Sequence, residues 1–184
     1  GIHEVEPDDY LRKRFSYPVY TQLRGGDLYR NKETGEYNRQ EFHEYPQKYR
    51  CLFSPYTSQT DILMNGVYWD KNVPRLFEKN EVTTENFIIQ TIADITDDSG
   101  GSVPLNLGDQ TIEDPVYGVD RNTFQKTAPY LSNSIDIMAV GNLPNELPRD
   151  ASRYFGEQLI KFVLEDLVKG SSPIIDKATI VKQG

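Results

Sequence analysis

The chain has 184 residues, 20 lysines and arginines against 28 aspartates and glutamates, and a net charge of −8. This acidity excludes non-specific nucleic-acid binding, which needs a positive footprint. No apolar run approaches a membrane span. The polar, acidic start (GIHEVEPDDY) does not read as a signal peptide. One cysteine, Cys51, forbids an internal disulfide, and a reducing, cytoplasmic location is expected. With two histidines, a protein-built zinc site is not expected.

In chain order, residues 2–5 read as a strand. Pro7, Asp8 and Asp9 then open a short helix, where proline and carboxylates are both favoured. Residues 18–23 predict a second strand, and 24–37 a turn-rich loop or hairpin. Asn38 caps a helix from 39 to about 45, and a further short helix is expected near 47–53. Tyrosines and phenylalanines crowd this half, which is expected to be loop-rich and held together by aromatic packing. His43 is expected to face solvent, and Cys51 to act as a small buried hydrophobe.

Residues 61–67 predict a buried strand, 74–80 a turn and short helix, and 88–95 a second buried strand. Residues 115–119 form a short strand and 135–140 a third buried one. The strongest helical periodicity runs from 148 to 168, with Ala151, Phe155, Leu159, Phe162, Val163 and Leu167 at three- and four-residue spacing. Gly170 ends it. Residues 178–181 predict a last strand. Strands alternating with helical segments imply an α/β fold with a mostly parallel sheet.

In open sheets of this class, ligands bind at the carboxyl edge of the strands. The run IADITDDSGG (92–101) delivers carboxylates and two glycines to such an edge. Asp98 is the first candidate, because Ser99-Gly100-Gly101 lets backbone approach a ligand closely. The other reading of Asp98 is a carboxylate accepting backbone N–H bonds in a tight turn. Ile95 and Thr96 share this strand end, and Asp97 is a weaker candidate. Asp94, inside the strand, is expected to satisfy a buried donor. Gly66 permits close approach after the first of these strands, and Val67 and Tyr68 are placed to cover a ligand face. Trp69 reads equally as packing. Asn142, Leu143 and Pro144 close the third strand. Glu6 is a minor candidate for an adenosine ribose, and Arg24 for a 2′-phosphate.

A complete dinucleotide fold opens with a strand, G-x-G-x-x-G and a helix. No such motif is present: Gly25-Gly26 is too short, and Gly100-Gly101 leads into a proline. The expectation is that the motif lies in residues preceding Gly1. The alternative is a small module that never binds a dinucleotide.

The ordered segments TDILMNGVYWDKNVPRLF, IADITDDSGGSVP, TIEDPVYGVD and AVGNLPNELPRDASRYFG resemble the lysine–2-oxoglutarate reductase and saccharopine dehydrogenase (lysine-forming) family. EYNRQEFHEYPQKY and PIIDKATIV extend the resemblance along the chain. More distantly, it is similar to alanine dehydrogenase and the NAD-binding subunit of transhydrogenase. The resemblance implies an oxidoreductase using NAD or NADP. Its substrates would be lysine, 2-oxoglutarate and saccharopine. It implies that residues 1–145 are the later part of a Rossmann-like domain. Residues 146–184 would return, as a helix and strand, to a catalytic domain not included here. Asp98 would lie by the nicotinamide ribose and ring, and Asn142 to Pro144 against the nicotinamide. The isolated chain is then expected to be inactive, and its uncovered cleft surface places a homo-oligomer among its expected partners. The alternatives are an alanine-dehydrogenase-like enzyme or a non-catalytic nucleotide-binding module.

Overall fold

The computed structural model describes residues 1–170 and 172–181. The chain divides into two units, Gly1–Gly141 and Asn142–Gly184.

In the first unit, β1 (His3–Glu4) pairs in parallel with β2 (Val19–Tyr20). Between them runs α1 (Pro7–Arg12), with Pro7 in its first turn beside Asp8 and Asp9. Residues 24–37 hold more than a turn. Here α2 (Gly25–Leu28) leads into β3 (Tyr29–Asn31), after which Asn31 Oδ1 accepts the Glu33 N–H at 2.8 Å and starts the turn. α3 (Arg39–Glu44) is capped by Asn38, whose side chain accepts the Glu41 N–H at 3.0 Å. His43 is exposed as expected.

The helix expected near 47–53 does not form. A 3-10 turn at Pro46–Lys48 passes into β4 (Tyr49–Cys51), antiparallel to β3. Long-range packing overrides local pattern here. Tyr49 is wholly buried, edge-on to Phe42 at 5.1 Å, and Tyr29 stacks on Phe42 at 4.5 Å. Tyr29, Phe42, Tyr49, Phe53 and Tyr56 are all buried, so aromatic packing does hold this half together. Cys51 is half-buried, and burial pushes its thiol pKa up.

The main sheet has the order β5 (Ile62–Asn65), β6 (Thr91–Asp94), β9 (Ser134–Met138), β7 (Val116–Asp120), β8 (Lys126–Thr127). β5, β6 and β9 are mutually parallel, while β7 and β8 extend the sheet antiparallel. The fold is therefore α/β, consistent with part of a Rossmann-like domain. β5 differs from the buried strand expected. It lies at the sheet edge, with Leu63 and Asn65 buried but Ile62 and Met64 exposed, so only one face is covered. Residues 74–80 form no helix; Leu76 and Phe77 are buried in an irregular segment, Phe77 edge-on to Phe87 at 4.9 Å, and a 3-10 turn follows at Glu81–Thr83. The sheet centre is apolar: Ile89, Ile92, Ile135 and Ile137 are fully buried.

The second unit begins with Asn142 in the left-handed region (φ 52°) and a 3-10 turn at Leu143–Asn145. The helix expected over 148–168 divides into α4 (Pro148–Phe162) and α5 (Leu164–Lys169). It breaks at Val163, whose φ of −125° lies outside the helical range. Gly170 ends α5 with φ 80°, as its role as a stop requires. The strand expected over 178–181 is replaced by α6 (Pro173–Ala178) and non-strand residues after it. Ser172 accepts the Ile175 N–H at 3.2 Å and Pro173 occupies the first turn, a strong helix start. Among the described residues, no helix is long and apolar enough to cross a membrane.

Candidate functional site

Because β5 and β6 are parallel and in register, their last residues, Asn65 and Asp94, stand side by side. Both are 1% exposed, and Asn65 Nδ2 donates to Asp94 Oδ1 at 2.8 Å. Asn65 Nδ2 also donates to Ser102 Oγ at 2.7 Å. The other Asp94 oxygen accepts from Asn106 Nδ2 at 2.9 Å, and Thr96 Oγ1 donates to Oδ1 at 2.7 Å. Asp94 thus takes three side-chain donors. It is the buried acceptor that its position inside the strand predicts, and it fixes the shape of both loops that follow.

Above this floor, Asp97 adopts φ 53°, a left-handed conformation that an aspartate tolerates. One of its oxygens, Oδ1, is buried without a hydrogen-bond partner. Burial, together with a hydrogen bond to Asp109 and the charge of Asp109, pushes the Asp97 carboxyl up to about 6. Asp109 arrives because the Gln110 N–H donates to Ala139 O at 2.7 Å, which lays that segment alongside the end of β9. Gly141 lies against both acids: a Cβ there would come within 2.8 Å of Asp109 Oδ2 and 3.0 Å of Asp97 Oδ2.

Arg75 fastens the glycine loop. Its Nε donates to Gly101 O at 2.9 Å and its Nη2 to Gly100 O at 2.8 Å. Gly101 is needed as glycine, since a Cβ would sit 2.6 Å from Asp98 Cβ. Gly66 and Gly100 face open space, with nothing within 4 Å of an added Cβ.

The candidate residues fall into two groups. Gly66, Val67, Tyr68, Ile95, Thr96 and Asp98 all follow β5 or β6 at the carboxyl edge of the sheet. Val67 N donates to Asn65 Oδ1 at 3.4 Å and Ile95 N to Asn65 O at 2.8 Å, so Asn65 ties the two loops together. Tyr68 is 77% exposed. Asp98 is exposed, and its carboxylate accepts no backbone N–H among the described residues; its backbone carbonyl closes the turn with Gly101 N at 2.8 Å. Asn142, Leu143 and Pro144 belong to the second unit. Glu6 and Arg24 are exposed. Asn65, Ser102, Asn106, Asp109 and Arg75 carry the local geometry but were not singled out by sequence. The only advance sign was the pattern of a polar residue closing each buried run. No three or more His, Cys, Asp or Glu residues among the described ones are grouped to hold a metal ion.

The open backbone at Gly66 and Gly100 leaves room for a ligand at the strand edge where sheets of this class bind theirs.

Fold and edge together define a partial Rossmann-like α/β protein with a polar, glycine-opened strand end. No family model matches the chain. It is similar to alpha-aminoadipic semialdehyde synthase of Mus musculus, 29% identical over 185 residues, covering 83% of this chain and 19% of that protein. The Bos taurus protein of the same name is 27% identical, covering 100% of this chain and 22% of its own length. Saccharopine dehydrogenase [NAD(+), L-lysine-forming] of Candida albicans is 25% identical, covering 62% of this chain and 29% of that protein. The chain thus spans roughly a fifth to under a third of these relatives, and the resemblance read from its motifs is borne out.

Proposed function

We propose that this chain is part of an oxidoreductase that reduces the imine of lysine and 2-oxoglutarate to saccharopine, or runs the reverse, with NAD or NADP. The observation that carries this reading is the joined carboxyl edge of β5 and β6, where the Asn65–Asp94 pair supports two glycine-opened loops. The similarity to the dehydrogenase and synthase named above supplies the substrate class. The bound cofactor would supply the hydride. The chain's part is to orient it: Asn65 and Asp94 hold the loops, Gly66 and Gly100 admit the cofactor, and Asp98 presents an exposed carboxylate toward solvent at that edge. Asp97, its carboxyl pushed up to about 6, makes the charge next to Asp98 depend on pH.

The test is lysine- and 2-oxoglutarate-dependent oxidation of NADH and NADPH by the protein that carries this chain, beside pyruvate plus ammonium. Turnover with lysine and 2-oxoglutarate supports the reading. Turnover with pyruvate and ammonium alone transfers it to an alanine-dehydrogenase-like activity. Turnover by the 184-residue chain itself would contradict the partial-enzyme reading.

A further inference from the structure

An open groove of about 420 Å³ lies in the first unit, lined among others by Lys32, Lys71, Arg75, Trp69, Asn72 and Glu78. This volume is within the range of small-molecule sites. Its charge runs against that of the chain. A protein with 28 acidic residues against 20 basic ones places three cations around this hollow and one carboxylate, Glu78. That carboxylate is already taken by Arg75 Nη1 at 3.3 Å. The Lys32 ammonium donates to Gln47 O at 2.8 Å and retains two further protons for a ligand. Lys71 is exposed and makes no ion pair among the described residues.

The walls are held in place. The Arg75 guanidinium is fixed by the Gly100 and Gly101 carbonyls and lies 5.0 Å from the centre of the Trp69 ring. Trp69 Nε1 donates to Val73 O at 2.8 Å, so the indole is anchored and its polar atom satisfied. Like charges gathered in a concave, partly low-dielectric surface focus a positive potential. With its internal carboxylate already paired, that potential is met by a ligand carrying negative charge.

We propose that this groove is a binding site for a small anionic metabolite bearing carboxylate or phosphate groups, gripped by Lys32 and Lys71 beside the Arg75–Trp69 pair. The inference does not rest on the reductase reading: Lys32 and Lys71 lie outside the strand-end site, and Arg75 is shared only as the residue that fastens the Gly100–Gly101 loop.

Trp69 is the sole tryptophan of the chain, so its selectively excited fluorescence reports on the groove alone. The experiment titrates citrate, and separately inorganic phosphate, into the chain at constant ionic strength set with sodium chloride. A saturable change in Trp69 emission is expected, weakened at least tenfold in Lys71→Ala and in Lys32→Ala and unchanged in Lys13→Ala, an exposed lysine paired with Asp9. Saturation by citrate alone assigns a carboxylate ligand, and by phosphate alone a phosphate ligand. Both lysines are exposed, and matching circular-dichroism melts show that the variants fold. Absence of saturation with both probes overturns the proposal, as does saturation undiminished in both lysine variants.

Discussion

Asp97 and Asp109 bring their carboxyl groups together beside Gly141, and between the ordinary aspartate value of 3.8 and about 6 Asp97 keeps a proton that an isolated aspartate would lose. Burial is the first cause, and the hydrogen bond and charge of Asp109 the next. Two carboxylates at one spot cannot both ionise cheaply.

A folded-state value near 6 against 3.8 for an ordinary aspartate means that the native state binds this proton more tightly than the unfolded chain. The contribution to stability is complete below the unfolded value and is lost as pH rises through about 6. Asp109→Asn removes the like charge and lowers the Asp97 pKa. The variant is expected to melt higher than the parent above about pH 7 and to converge with it near the unfolded aspartate value. Melting temperatures across that range check this; parallel curves for the two proteins would refute it.

Glu41 has the opposite sign. Bonds from Tyr49 (2.7 Å), Lys48 (3.1 Å) and Asn31 (3.0 Å) hold its carboxyl below the usual range, the Tyr49 bond having the largest effect. Its contribution is present above the unfolded glutamate value and disappears as pH falls through the lowered one. Tyr49→Phe keeps the buried ring and removes the phenol. It is expected to be less stable at neutral pH and to lose less stability on acidification, as read by urea unfolding at several pH values.

The Asn65–Asp94 bond joins the two loops of the candidate site. Asn65→Ala leaves Asp94 and Ser102 short of a buried partner, at a cost of about 1–3 kcal/mol. Asn65→Asp sets a second carboxylate against Asp94 and is expected to cost more than the alanine variant. Urea midpoints order the two.

Two glycines separate folding from binding. At Gly118 an added Cβ would meet the Ala128 carbonyl at 2.4 Å, backbone that cannot swing aside. Gly118→Ala is expected to cost about 1–3 kcal/mol, the usual range for overpacking. Gly66→Ala meets nothing and is expected to change stability by less than about 0.5 kcal/mol. If Gly66 admits a dinucleotide, the same substitution weakens NADH binding at least several-fold. Equal NADH affinity in parent and Gly66→Ala would remove Gly66 from the site.

Local sequence determined much of the scaffold. The apolar runs that became β5, β6 and β9, the Asn38 cap and the Gly170 stop are each set by residues within a turn or a strand of one another. Their physical basis is local: side-chain periodicity, a cap oxygen three residues from its N–H, and a backbone angle that glycine adopts freely. Tertiary structure alone decided that Tyr49 begins a strand instead of a helix, and that Asn65 meets Asp94 from 29 residues away. It alone set Arg75 on the Gly101 carbonyl at a separation of 26 and joined Asp97 to Asp109. Such pairings leave no periodic mark on the chain, because their energy is gained only once the sheet has brought distant loops to one edge and excluded water from between them.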